Sequence, residues 1–184
     1  MQLSLVSPMH NSGFDIQEKI AKWIKHRRVT LVVSATTGNG VNQYLPLAEN
    51  GHVKLIVVVA HRVGNPRWKP FDPQIRNEVE RRGGIILQER MLWAIRRIAQ
   101  LLISKYLVPL FGYREKNWEE LLAVGGRVCL QIAEIVVKEH LVGKGSIIIA
   151  VAGEHAALAL KIHDINPPRM ALMDIIYRND IQLD

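Results

Sequence analysis

The sequence predicts a three-layer α/β/α sandwich around a mostly parallel sheet of about five to six strands, on three observations. Short β-branched runs alternate with segments of helical period. Several runs, such as Val29 to Val33 and Leu55 to Ala60, are apolar at every or nearly every position, as strands covered on both faces must be. Gly, Pro and Asp signals fall between the elements. The 184 residues fit one domain, 1–184, long enough to bury a core and lacking low-complexity or linker stretches.

Each element has its own signal. Ile16, Ile20, Trp23 and Ile24 recur at i, i+4, i+7 and i+8. They predict a helix that Asp15 caps, with Glu18 completing a box-like start and the cations His26-Arg27-Arg28 at its carboxyl end. Val29 to Val33 is then a central strand, Ser34 to Gly40 a turn, and a short helix runs to about Glu49 before a second strand, Val53 to Ala60. His61 to Phe71 is an irregular loop. Asp72 and Pro73 cap and open a helix through Ile75 and Val79 that Gly83-Gly84 stops. Ile85 to Gln88 makes a third strand. Two longer helices, about Arg90 to Leu107 and Trp118 to Leu141, precede a fourth strand, Ser146 to Ala152. Ala156 to Ile162 is open between helix and strand. Arg169 to Tyr177 reads as strand after the stop Asn166-Pro167-Pro168.

Composition narrows the function classes. Lys and Arg number 24 against 17 Asp and Glu, a net charge of +7. That sign excludes an acidic solvating chain and favours anionic partners. The charge is uneven: residues 1–60 hold six cations and three acids, residues 61–120 hold twelve and seven, and residues 121–184 hold six and seven. The excess therefore surrounds the loop and helices after the second strand. A single cysteine, Cys129, forms no internal disulfide and no cysteine metal cluster. No apolar run approaches the roughly 20 residues of a spanning helix, and no export signal is evident, so a soluble cytoplasmic protein without membrane partners is expected.

Ser34 to Gly40 is the most informative segment. Its three hydroxyls (Ser34, Thr36, Thr37), the amide of Asn39 and two glycines (Gly38, Gly40) stand between a buried strand and a helix start. Glycine admits close backbone approach, and exposed N–H and O–H groups donate to phosphate oxygens. In open α/β sheets ligands sit beyond the carboxyl ends of strands. The same residues also suit a plain connecting turn. His61, Arg62 and Arg67 either ring this site or solvate their loop. Gly38-Asn-Gly40 starts like a dinucleotide fingerprint, but Gln43 replaces its third glycine, and Gly143-Lys-Gly-Ser146 has the wrong spacing for a P-loop.

Val32-Val-Ser-Ala-Thr-Thr-Gly38, with Lys54-Leu-Ile-Val-Val-Val-Ala-His61, resembles the carboxyl-terminal domain of pyruvate kinase. The closer likeness is to small stand-alone prokaryotic proteins of that α/β type. Gly126-Arg-Val-Cys-Leu-Gln-Ile132, the strand Ile147 to Val151 with Gly153, and Lys161-Ile-His-Asp164 echo their pattern. The resemblance runs from about Phe14 to Tyr177. It implies a mixed sheet whose last strand runs against the others. It also implies anion binding at Ser34, Thr36, Thr37, Gly38, Asn39 and Gly40, as in the pyruvate kinase domain, where such a loop holds the phosphate of a sugar-phosphate effector. Pyruvate kinase activity is not implied, because that chemistry belongs to a separate barrel for which this chain has no room. Where the stand-alone proteins are glycine-rich, this chain reads Arg90-Met-Leu-Trp-Ala-Ile-Arg-Arg97 and Ala152-Gly-Glu-His-Ala156. A flat flavin phosphate suits the glycine-rich version better.

The reading that results is a binding module for a phosphorylated small molecule: a nucleotide, an FMN-like flavin phosphate or a sugar phosphate. Its ligand residues are Ser34, Thr36, Thr37, Gly38, Asn39 and Gly40, with His61, Arg62, Gly153, Glu154 and His155 beside them. One alternative is a nucleic-acid-binding protein using basic helices, against which the few aromatics and the lack of a groove-reading motif argue. Another is a small enzyme of unknown reaction using Glu154 and His155. His155, His163 and Asp164 form the one histidine grouping assigned to the ligand edge; its spacing fits no zinc motif and favours surface or hydrogen-bonding roles. Cys129 falls on a helical stripe with Leu122, Gly125, Ile132 and Val136, which makes it a core thiol. Apolar excess on Arg90 to Leu107 suits either a sandwiched helix or packing against a second copy in a homo-oligomer.

Overall fold

In a computed structural model, residues 12–25, 27–49, 51–59, 70–88 and 124–178 are described. In chain order the elements are α1 (Ser12–Ile24), β1 (Val29–Ala35), a 3-10 turn (Asn39–Tyr44), α2 (Leu45–Ala48), β2 (Val53–Val59), α3 (Pro73–Arg81), β3 (Ile85–Gln88), α4 (Val124–Lys138), β4 (Ile147–Ala152), β5 (Ala156–Ile165) and β6 (Pro168–Arg178).

The six strands form one mixed sheet in the order β3-β2-β1-β4-β5-β6. β1 lies between β2 and β4 and pairs with both in parallel, Ser34 standing beside Val58 on one side and Ala152 on the other. β2 pairs in parallel with β3. The two carboxyl-terminal ladders, β4 with β5 and β5 with β6, are antiparallel. The reversal thus falls at β5, and β6 turns back again at the edge.

Alternation along the strands divides the core in two. Val29, Leu31, Val33 and Ala35 of β1 pack with Ile16, Ile20 and Ile24 of α1, Tyr44 of the 3-10 turn and Ile75 and Val79 of α3. Val32 faces the other way, against Cys129, Ile132, Ala133, Val136 and Val137 of α4. Helices on both faces explain why the central strands are apolar at nearly every position, Thr30, Ser34 and Lys54 excepted. Each fully buried Val, Leu or Ile contributes about 1.5–3 kcal/mol, so this patterning outweighs any single polar contact in fixing the register.

Helix ends follow their local chemistry. The Asp72 carboxylate accepts from the Gln74 N–H at 2.8 Å, with Pro73 in the first turn, as the sequence predicts. At the far end of α3, Gly83 has φ 71°, and the Gly83 and Gly84 N–H groups donate to the Glu80 and Val79 carbonyls. α4 closes in the same way with a side chain in the glycine position. His140 has φ 56°, and the His140 and Leu141 N–H groups donate to the Val137 and Val136 carbonyls.

Several elements differ from the sequence reading. α1 begins at Ser12, so Asp15 lies within the helix and is not its cap. Glu18 is ion-paired with Lys22 at 2.7 Å, one turn on, and makes no capping box. The helix after β1 is a six-residue 3-10 turn followed by the four-residue α2, where Pro46 occupies the first turn. Arg82 holds this segment in place by donating to the Leu45 carbonyl at 3.0 Å and pairing with Glu49. Ala156 to Ile162 is strand, within β5. The expected helix Arg90 to Leu107 and the surmised subunit contact on it lie outside the described residues, as does the start of the expected Trp118 helix. Among the described residues no helix is long and apolar enough to cross a membrane.

Candidate functional site

The carboxyl ends of β1 and β4 meet where the sequence reading put its site. Ser34 belongs to β1 itself and is paired, not looped; the loop proper is Thr36-Thr37-Gly38. Thr36, Asn39 and Gly40 are exposed and Thr37 is half-buried. The Thr37 carbonyl accepts from the Asp72 N–H at 3.0 Å, and the Gly38 carbonyl accepts from the Val41 N–H at 2.7 Å. The N–H groups of Thr36, Thr37 and Gly38 donate to no described backbone acceptor. A loop held by its carbonyls, whose N–H groups meet no backbone acceptor among the described residues, offers a donor surface.

Gly38 has a second reason to be glycine. At φ 101° it occupies left-handed backbone, and a Cβ there would lie 3.1 Å from Ile75 and 3.2 Å from the Phe71 ring. Its conformation therefore seats the loop on Phe71 and α3, a packing reason for the glycine that the plain-turn reading shares.

Across the β1–β4 ladder lies the tight turn Gly153-Glu154-His155. Gly153 has φ 55°, the His155 N–H donates to the Ala152 carbonyl at 3.0 Å, and Glu154 and His155 are both exposed. Gly125 of α4 packs against this turn so closely that a Cβ on it would stand 2.8 Å from those of His155 and Ala156. The structure thus brings Ser34, Thr36, Thr37, Gly38, Asn39 and Gly40 to the same edge as Gly153, Glu154 and His155. His61, Arg62 and Arg67 lie outside the described residues.

Tyr44 escaped the sequence reading. Its ring is fully buried, and its hydroxyl donates to the Gly153 carbonyl over a long 3.5 Å, joining the 3-10 turn to the β4–β5 turn. Burial above all, then Cys129 and Glu154, raises the phenol well above its ordinary pKa. It is a neutral structural strut beneath the site. Nothing in the local pattern marks Tyr44, because its partner lies more than a hundred residues away.

Cys129 is the core thiol its stripe predicts. It is fully buried, its Sγ donates to the Ala156 carbonyl at 3.5 Å, and burial pushes its pKa up to about 12. A thiol held neutral in this way is a poor nucleophile.

The histidine grouping is split. His155 sits at the carboxyl edge, while His163 and Asp164 are near the other end of the ten-residue β5. At ~3.3 Å per residue that is most of the sheet's height away. Among the described residues no group of three or more His, Cys, Asp or Glu could hold a metal ion.

A separate groove lies along α1 and β6, where the Trp23 indole N–H donates to the Asp174 carboxylate at 3.0 Å and the Arg27 guanidinium stacks 4.1 Å from the Trp23 ring. These contacts tie the helix to the sheet edge. The chain matches no protein-family model, and no curated protein matches it.

Proposed function

We propose that this chain is a binding module of the pyruvate kinase carboxyl-terminal-domain type that takes the phosphate of a small phosphorylated molecule at the carboxyl edge of β1 and β4. The N–H groups of Thr36, Thr37 and Gly38, which meet no backbone acceptor among the described residues on a loop anchored through its carbonyls, carry the reading. The exposed Thr36 hydroxyl adds a further donor. Such groups match the acceptor oxygens of a phosphoryl group, and they stand at the position where open α/β sheets hold ligands. The Gly153-Glu154-His155 turn forms the facing wall. A monophosphate ester with a hydroxylated body, such as a sugar phosphate, is the kind of molecule these donors suit.

Thermal shift against a panel of sugar phosphates, nucleotides and FMN tests the reading. A stabilising ligand is expected, and the Thr36→Ala/Thr37→Ala pair is expected to remove the shift while the unliganded Tm stays within about 2 °C. The reading fails if no phosphorylated compound moves the Tm, or if the double variant responds like the parent.

A further inference from the structure

The opposite edge of the sheet carries a second feature. Where β1, β2 and β4 begin, a groove of about 720 Å³ is lined by Arg28, Thr30, His52, Lys54, Lys144 and Ser146, together with backbone of the strand starts. Its described lining holds two lysines, an arginine and a histidine, with no carboxylate and no Phe, Tyr or Trp ring. The three strands are neighbours in the order β2-β1-β4, so at ~4.8 Å per strand the cations span roughly 10 Å.

Thr30 is the independent sign of a ligand. Apart from Tyr44 and Cys129, it is the sole buried residue with a polar side-chain group among those described, 7% exposed, and it lines this groove with Lys54 and Ile148 beside it in register. Its hydroxyl hydrogen-bonds to no described residue. A buried hydroxyl with no partner among the described residues is disfavoured, and an acceptor bound in the groove would satisfy it. Lys54 is pre-positioned: its Nζ donates to the Leu141 carbonyl at 2.9 Å, which uses one of the three donors an ammonium carries. The Gly145 and Ser146 N–H groups are spent on the Ile162 and Gly143 carbonyls. The side-chain donors that the argument uses are Arg28, Thr30, Lys54 and Lys144.

We infer that this groove binds a short inorganic-type phosphate chain of two or three linked phosphoryl groups. A row of cations about 10 Å long exceeds one phosphate, and the absence of aromatic lining removes the stacking platform that a nucleobase or single-stranded nucleic acid uses. The site is distinct from the carboxyl edge, since the seven residues of β1 at ~3.3 Å each separate the two.

Isothermal titration of the full chain with inorganic tripolyphosphate, at two salt concentrations, tests the inference. Saturable 1:1 binding is expected, at least tenfold weaker in Arg28→Gln/Lys144→Gln. Thr30→Val, which leaves the charge unchanged, is expected to weaken it severalfold, and Thr30→Ser to restore it; circular dichroism checks that each variant is folded. Thr36→Ala/Thr37→Ala should leave it untouched, so failure at either edge is read separately. The inference is overturned by no saturable binding, by equal affinity in the Arg28/Lys144 variant, by orthophosphate or sulfate binding as tightly, or by an oligo-dT strand binding more tightly than tripolyphosphate.

Discussion

The Asp72 N–H donates to the Thr37 carbonyl at 3.0 Å, so the residue that caps α3 also ties down the loop leaving β1. One aspartate thereby serves two elements, through its carboxylate on Gln74 and its backbone on Thr37. Replacing Asp72 by Ala removes the first contact and keeps the second. A loss of about 1 kcal/mol is expected, or roughly 2–4 °C in Tm for a chain of this length, with Asp72→Asn close to the parent. Urea unfolding measures it, and an Ala variant as stable as the parent would contradict the capping role.

Gly125 is expected to tolerate nothing larger. A methyl there meets the Cβ atoms of His155 and Ala156 at 2.8 Å, so Gly125→Ala must lift α4 from the β4–β5 turn at a cost of about 1–3 kcal/mol. Gly143, with nothing within 4 Å of its Cβ position, is the control. Matching melting curves for the two alanine variants would show that the close approach is relieved at no cost.

The two Schellman ends offer a gain. α3 has Gly83 in the left-handed position and α4 has His140. His140→Gly should relieve about 1 kcal/mol of local strain and raise the Tm by a few degrees, without altering α4 itself. A lower Tm would mean that the imidazole makes a contact worth more than the strain.

Cys129 sets an alkaline limit. Its pKa rises from an ordinary 9.0 to about 12 in the folded chain, so between those values the native state retains a proton that the unfolded state releases. Stability is therefore complete below about pH 9 and declines as pH rises towards 12; Tyr44, shifted in the same direction, adds to the slope. Cys129→Ala should flatten that limb while lowering stability near neutrality by the volume lost. Rapid labelling of the native thiol by a disulfide reagent at pH 8 would show that it is not sealed in the core.

The strands β1 to β4 are legible to within a residue or two, because helices on both faces demand apolar side chains at most positions and β-branched runs supply them. β5 is not. Ala156-Ala-Leu-Ala-Leu160 has neither period, and its conformation comes from antiparallel pairing, Ala152 with Ala156 and Ala150 with Leu158, which packs small residues under α4. The same limit governs the candidate site. Loop and turn can be placed at one edge from strand directions alone, yet Tyr44 depends on a remote carbonyl, and the distance from His155 to His163 depends on the segment between them being strand, which local pattern leaves open.

The strand order also fixes a timetable for folding. β1, β2 and β3 are one parallel set and β4, β5 and β6 one antiparallel set, each consecutive in the chain; the β1–β4 ladder that joins the sets brings residue 30 beside residue 148. Closing that ladder spans the longest loop in the sheet, so it is expected to be the slow step of refolding, after each half has formed its own neighbours. Thr36 and His155 stand on opposite sides of this seam, as do Thr30 and Lys144 at the other end. Both proposed sites are therefore incomplete in either half alone, and full ligand affinity should appear only with the slowest refolding phase, making binding a report on completed assembly.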